Sequence, residues 1–170
     1  MKFIIYFYLI IFLSVFNKAN AADYLKANLK FKAEIVDHSC IISSDSQNME
    51  VKLGTWDTKR FKSPNSISTP THFVINLEDC DADNINFKFS GSSTNSGYLS
   101  LDNNSLATNL AVKLSNNDGS ILKINEFSPP IINTSKNNLS VGFYANYISE
   151  NGEATPGSAI ATATFEINYD

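Results

Sequence analysis

The feature that most constrains the fold is a two-residue period that continues to the end of the chain. In the final stretch, ATATFEINYD, small or apolar residues alternate with mostly polar ones; counting back, the alternating positions are Tyr169, Ile167, Phe165, Ala163, Ala161, Ala159 and Gly157. Successive side chains of a β-strand point to opposite faces, so this period predicts a strand with one buried face. Because chain ends usually fray, a regular terminal strand indicates that something holds it in a sheet.

Shorter runs with the same period occupy much of the remaining sequence. They lie at 29–35, 49–53, 73–77, 85–89, 110–114 and 139–147, and polar stretches such as SSDSQN and SNNDGS separate them. Asn, Ser and Asp satisfy their own backbone locally and therefore favour turns. No window of about 11 to 18 residues favours a long amphipathic helix. The sequence therefore predicts an all-β, antiparallel sandwich of about seven or eight strands.

The first residues have the pattern of a secretory signal. Lys2 precedes a run of 14 mostly apolar residues, and the following NKANA places Ala19 and Ala21 at the spacing of a signal-peptidase site. A membrane span needs about 20 such residues. We therefore expect residues 1–21 to be cleaved, with Ala22 as the alternative last residue, and the mature chain to form one domain without membrane insertion.

Two cysteines, Cys40 and Cys80, are present in the whole sequence. A secretory signal sends them to an oxidising compartment, which favours a disulfide between them. Such a bond would close a loop of about 40 residues and stabilise the fold by about 4 kcal/mol in the chain-entropy model. A metal pair and a redox pair are the alternatives, but both lack the close Cys-x-x-Cys spacing.

Charge argues against a polyanion partner. The formal net charge is −4, and it becomes −6 once Lys2 and Lys18 leave with the signal. Arg60 is the single arginine, and the sequence contains no large basic cluster. We therefore expect no nucleic-acid binding.

Enzymatic chemistry has little support in the sequence. A copper or zinc site built from His38 and Cys40 is conceivable, but transition-metal sites made of protein ligands use three or four, and a disulfide would remove Cys40. No Gly-x-Ser-x-Gly elbow is present. We expect no catalytic residues, no metal and no cofactor.

A binding site for sugars is the alternative from a different functional class. Trp56 and Phe61 flank the basic residues Lys59, Arg60 and Lys62, and an aromatic face can stack on a sugar ring. A Trp packed beside a turn at the sandwich edge explains the same residues. A self-contained, secreted glycan-binding sandwich therefore stays as the alternative hypothesis.

Four segments resemble the type 1 pilin family, the fimbrial subunits of the chaperone-usher pathway. LKFKAEIVDHSC is similar to the family's N-terminal extension and first cysteine, and VKLGTWDTKRF to the segment that follows. THFVINLEDC is similar to the strand with the second cysteine, and VGFYANYISENGEATPGSAIATATFEINYD to the C-terminal block. The resemblance covers nearly the whole mature chain. Two positions depart from it, Ala33 and Asn109, where the family often has glycine.

The resemblance implies an incomplete immunoglobulin-like β-sandwich that a partner completes with a donor strand. It implies residues 1–21 as signal peptide, 22–37 as the N-terminal extension and 38–170 as the pilin domain. The donor residues would be Leu29, Phe31, Ala33 and Ile35. The groove and C-terminal strand would include Gly157, Ala161, Ala163, Phe165, Ile167 and Tyr169.

The function implied by the resemblance is structural. The chain would be exported through the periplasm to the cell surface, would polymerise head to tail with other fimbrial subunits by donor-strand exchange, and would support cell adhesion. Its further partners would be a periplasmic chaperone and an outer-membrane usher. The chain is too short for an additional receptor-binding domain, so we expect a shaft or adaptor subunit.

Overall fold

The computed structural model describes residues 40–169, in which ten β-strands and two short helical turns occur. The strands are β1 Ile41–Ile42, β2 Ser66–Ile67, β3 Thr71–Glu78, β4 Asn84–Ser90, β5 Leu99–Ser100, β6 Ala111–Asn116, β7 Ile121–Leu122, β8 Ile131–Ile132, β9 Leu139–Ser149 and β10 Thr164–Tyr169. The helical turns are α1, Ser44–Gln47, and a 3₁₀ turn at Thr58–Phe61. The predicted all-β class is confirmed.

The strands form two antiparallel sheets. The larger sheet has the order β1-β3-β9-β6-β5, with β2 added to β9 and β7 added to β6. The smaller sheet has the order β10-β4-β8. β9 is the longest strand at 11 residues, and it pairs with β3 on one side and with β6 on the other. It therefore forms the centre of the larger sheet.

The core lies between the two sheets and is rich in phenylalanine. Phe87 on β4 and Phe143 on β9 are both fully buried, and their ring centroids are 5.1 Å apart in an edge-on arrangement. Phe89 also meets Phe143 edge-on, at 5.3 Å. Edge-on pairs at such separations are favourable beyond the area they bury. These contacts join residues of both sheets into one sandwich core.

The predicted disulfide between Cys40 and Cys80 is present. Cys80 is fully buried, and its backbone N–H donates to the carbonyl of Asn137 at 2.7 Å. The bond joins the residue before β1 to the second residue after β3, and these two strands pair antiparallel. The covalent link therefore reinforces an edge of the larger sheet.

Two predicted strands differ from the structure. Residues 49–53, predicted as a strand, belong to none of the ten, although Val51 and Leu53 remain half-buried against the core. The last strand begins at Thr164, not at Gly157, although alternate burial already starts at Ala159. Both segments have the side-chain pattern of a strand, but neither has a strand neighbour among the described residues.

A positive φ angle explains one departure from the family pattern. Asn109, at a position where the family often has glycine, has φ +59°. Asparagine tolerates this left-handed region better than other residues that have a side chain. Its side-chain amide donates to the carbonyl of Glu153 at 3.1 Å. The local turn is therefore kept without glycine.

Candidate functional site

The last strand, β10, has one strand partner among the described residues. It pairs with β4 in a continuous antiparallel register, from Thr164 opposite Ser90 to Tyr169 opposite Ile85. No strand within residues 40–169 lies along its other edge. An edge strand presents unpaired N–H and C=O groups that can pair with another chain. This edge of the smaller sheet is therefore open to strand addition.

The inward face of β10 is apolar and only partly covered. Phe165, Ile167 and Tyr169 alternate with exposed residues and pack against the core while remaining half-buried. The ring of Phe165 lies 6.5 Å from that of Phe87 and 6.2 Å from that of Phe89. Half-buried apolar side chains in contact with a phenylalanine core have surface left to bury. This partly covered apolar face at the open edge of the smaller sheet is called the groove below.

The segment before β10 extends the groove and is tied to a neighbouring loop. The N–H of Asp102 donates to the carbonyl of Ile160 at 2.7 Å, and the Asp102 carboxylate accepts from the N–H and hydroxyl of Thr162 at 3.1 and 2.7 Å. Ala161, between Ile160 and Thr162, and Ala163, directly after Thr162, are half-buried against the core. The alternation of β10 therefore continues beyond its hydrogen-bonded part.

A cavity of about 430 Å³ lies beside this segment. Residues 154–159 line one part of it, and Gly54, Thr55 and Trp56 line another. Phe61, Ala107, Leu110 and Tyr147 also contribute. Val51 and Leu53, which precede Gly54, pack on the same core as β10. The cavity therefore lies where the unpaired segment 49–54 and the chain leading into β10 come together.

Tyr147 links the floor of the groove to this cavity. It follows Phe143 and Ala145 on the inward face of β9 and is half-buried, and its hydroxyl donates to the carbonyl of Ala159 at 2.6 Å. Burial raises the pKa of Tyr147 above its ordinary value because the charged phenolate is poorly solvated there. The hydrogen bond from Tyr147 holds Ala159 in place, and Ala159 is the residue at which the alternate burial begins.

Gly157 is required by a close approach of two backbones. Its φ is +150°, and a Cβ atom at this position would lie 2.6 Å from the backbone N of Ala107 and 2.6 Å from the carbonyl carbon of Leu106. Glycine has no Cβ and accepts both constraints. Gly157 is exposed and lines the cavity.

The structure therefore brings together the predicted groove residues. Ala161, Ala163, Phe165, Ile167 and Tyr169 lie along one inward-facing row, and Gly157 lies at the cavity. The predicted donor residues Leu29, Phe31, Ala33 and Ile35 lie outside the described residues, as does His38. The sequence analysis missed the cavity and the role of Tyr147. One feature of the sequence could have pointed to the cavity: the run 49–53 alternates like a strand, but the sequence offers no evident strand for it to pair with.

The Trp56 region is part of the cavity wall. Trp56 donates its indole N–H to the carbonyl of Leu53 at 2.6 Å, and the Arg60 guanidinium lies 4.9 Å from its ring centroid. A cation occupies one face of the indole, while Phe61 is buried. The Trp thus packs at the sandwich edge, as the structural interpretation of these residues expected.

Other features of the described residues suggest no chemistry. His72 is exposed, and its ring lies 5.0 Å from that of Tyr144. Within residues 40–169, no group of three or more His, Cys, Asp or Glu side chains is arranged to hold a metal ion. A search of the same residues for a helix long and apolar enough to cross a membrane finds none.

The fold and the groove define an incomplete immunoglobulin-like sandwich of the pilin class. The structure is similar to that of the P pilus rod subunit PapA, with a TM-score of 0.68 at 19% identity, covering 77% of this chain and 99% of that one. It is also similar to a subunit in the structure of a chaperone-usher pilus, with a TM-score of 0.66 at 17% identity, covering 89% of this chain and 100% of that one.

Sequence comparison gives the family. The model of the fimbrial protein family matches residues 29–170, and the chain belongs to that family. It is 31% identical to a fimbrial-like protein FimF of Salmonella typhimurium over 146 residues, which cover 85% of each chain. It is 32% identical to a type-1 fimbrial protein subunit of Serratia marcescens over 165 residues, which cover 89% of this chain and 92% of the relative.

The chain is therefore a fimbrial subunit, a structural protein and not an enzyme. Membership of this family does not favour the alternative of a self-contained glycan-binding module.

Proposed function

We propose that this subunit polymerises head to tail by donor-strand exchange, in which the N-terminal extension of one copy fills the groove beside β10 of the next. One observation carries the proposal: in a two-sheet sandwich, β10 has one strand neighbour among the described residues and a half-buried apolar face. Strand addition would pair the open edge of β10 and cover its apolar face, because main-chain hydrogen bonds form along the edge while alternate side chains enter the groove.

The N-terminal extension, residues 22–37, has the sequence that such a groove requires. Leu29, Phe31, Ala33 and Ile35 alternate with polar residues, so an extended arm would present them on one face. Full burial of Leu29, Phe31 and Ile35 would contribute about 1.5 to 3 kcal/mol each before the costs of ordering the arm. A repeated head-to-tail contact is heterologous and generates an open filament.

An exposed apolar edge also explains why assembly needs assistance. A strand edge with an apolar face pairs readily with other chains and promotes aggregation. A periplasmic chaperone would cover the groove after the signal peptide, residues 1–21, is removed, and an outer-membrane usher would exchange the chaperone for the next subunit. The resulting fimbria would reach the cell surface as a shaft or adaptor segment and support adhesion.

Removal of the arm tests the proposal. The mature chain without residues 22–36 retains its groove but has no donor, so it should join the arm of another copy without extending the polymer further. Size-exclusion chromatography of the mature and shortened chains, separately and mixed, measures this. Long polymers of the shortened chain alone would contradict the proposal.

Introducing a charge on the apolar face of the arm is the matched test in the full-length mature chain. Phe31→Asp should prevent polymerisation because it places a charge in the groove, whereas Lys32→Asp, one residue away and on the polar face, should weaken assembly less. Equal effects of the two substitutions would contradict the assignment of faces.

A further inference from the structure

The solvent-facing side of β10 carries a single charge among its described residues, that of Glu166. Thr164, Glu166 and Asn168 are the exposed residues of the strand. Glu166 forms an ion pair with Lys88 of β4, and its carboxylate also accepts from the hydroxyl of Ser90 at 3.4 Å. The side chain remains about half exposed and can accept a second cation from its open side.

Lys88, the partner of Glu166 in this ion pair, is also held in place by an aromatic ring. Its ammonium lies 4.8 Å from the ring centroid of Phe127, and Lys88 and Phe127 form an antiparallel bridge. Cation–π and ionic contacts therefore fix Lys88 between an aromatic ring and Glu166. The row across the smaller sheet is Phe127, Lys88, Glu166, and its next position is the open edge.

The polar face of the N-terminal extension is strongly charged. The residues that alternate with the apolar ones are Lys26, Asn28, Lys30, Lys32 and Glu34. Opposite charges on directly facing residues of neighbouring strands are favourable, and like charges are unfavourable. Since every strand pair of the two sheets is antiparallel, we consider an antiparallel arm. Its register then decides which of these residues faces Glu166.

We propose that the arm binds with Lys30 opposite Glu166, so that Lys88, Glu166 and Lys30 form a row of alternating charge across three strands. The proposal rests on the proposed strand addition and specifies its register. The same register places Phe31 opposite Phe165 and Leu29 opposite Ile167, and it places Ala33 and Ile35 opposite the small residues Ala163 and Ala161.

The alternative registers that keep the apolar face inward are less favourable in charge. A shift by two residues puts either Asn28 or Lys32 opposite Glu166, and a shift by four residues puts there either Lys26 or Glu34, the second of which would repel it. The register with Lys30 opposite Glu166 also pairs the sequence positions of Lys26 and Asp170. Of these five registers, it is the one that aligns two pairs of opposite charge.

A double-mutant cycle in the full mature chain tests the pair. Polymers of the Lys30→Glu variant should dissociate roughly two- to fivefold faster than wild-type polymers at low salt, the range expected for an exposed ion pair. The same substitution should have a much smaller effect in a Glu166→Gln background, because the partner charge is absent. The difference should shrink at high salt, where surface charges are screened. Equal effects of Lys30→Glu in both backgrounds would overturn the proposal.

Cross-linking measures the register directly and compares two matched variants. The double substitutions Lys30→Cys with Glu166→Cys, and Lys32→Cys with Glu166→Cys, differ only in which arm residue carries the thiol. Facing residues are close enough for a disulfide, whereas diagonal ones are farther apart. The first variant should give a ladder of covalent oligomers on non-reducing gels, and the second should not.

The outcomes separate the two proposals. A ladder from the second variant with none from the first would overturn the register while leaving strand addition intact. Failure of the wild-type mature chain to polymerise under any assembly condition, with no ladder from either variant, would overturn both.

Discussion

The hydroxyl of Tyr147 donates a hydrogen bond to the carbonyl of Ala159 at 2.6 Å, which joins the central strand β9 to the segment leading into β10. Tyr147 lies near the end of the longest strand, and Ala159 is the first residue of the alternating row that ends at Tyr169. This contact therefore connects the central strand of the larger sheet to the segment that leads into β10, beside the cavity that both residues line.

Tyr147→Phe should lower the free energy of unfolding by about 1 kcal/mol at neutral pH because one net hydrogen bond is lost. We would measure it by urea unfolding of the complemented subunit, defined as residues 37–170 mixed with a synthetic peptide of residues 22–37. Tyr98→Phe, which changes another partly buried tyrosine outside the groove, is the control.

The free energy of unfolding should depend on pH at alkaline values because of the same residue, Tyr147. Burial raises the pKa of Tyr147 above its ordinary value of 10.0, so the folded state keeps a proton that the unfolded chain releases. This contribution is complete below pH 10.0 and is lost as the pH rises through the folded pKa. Urea unfolding at a series of alkaline pH values should show a shallower decline for Tyr147→Phe than for the wild type; identical slopes would argue against the buried phenol.

Gly157→Ala should destabilise the complemented subunit by more than about 1 kcal/mol, because an added methyl group meets backbone atoms that cannot move aside easily. The matched control is Gly119→Ala, which also has a positive φ, +86°, but has no heavy atom within 4 Å of the added Cβ. If urea unfolding gave the same loss for both, backbone strain alone would explain Gly157 and the close approach to Ala107 would be irrelevant.

Substitutions of Asn109 test whether the turn at this residue has a positive φ angle. Asn109→Val should cost about 1 to 3 kcal/mol, since a β-branched residue is strained at a positive φ and the hydrogen bond to Glu153 is lost. Asn109→Gly loses the same hydrogen bond without the strain, so it should cost less. Thermal melting of the two variants compares them directly, and a more stable Val variant would contradict the assigned backbone conformation.

How much of this structure the sequence predicted depends on the length of each element. β3, β4, β6, β9 and β10 have six or more residues, and all five were predicted from a two-residue period in the sequence. β1, β2, β5, β7 and β8 have two residues each, and two residues cannot establish a period. Tertiary contacts determine such short strands.

In the candidate site, too, the sequence predicted the local part and missed the part formed by residues far apart in the chain. The row from Ala161 to Tyr169 was predicted because it is local in sequence. The cavity was not, because its walls come from residues 54–61, 107–110 and 154–159 together with Tyr147, and no local pattern reports their proximity. Segment 49–53 has the alternation of a strand, but a period of two shows which face is buried and not whether a partner strand is present.

Backbone amide hydrogen exchange of β10 tests the central claim most directly. In residues 37–170 without the peptide, the amides of β10 that face β4 should exchange slowly and the alternate ones, which face the open edge, should exchange fast. Addition of the peptide of residues 22–37 should slow the exchange of the second set by at least tenfold. Uniform protection of all β10 amides before the peptide is added, or no change afterwards, would contradict the account.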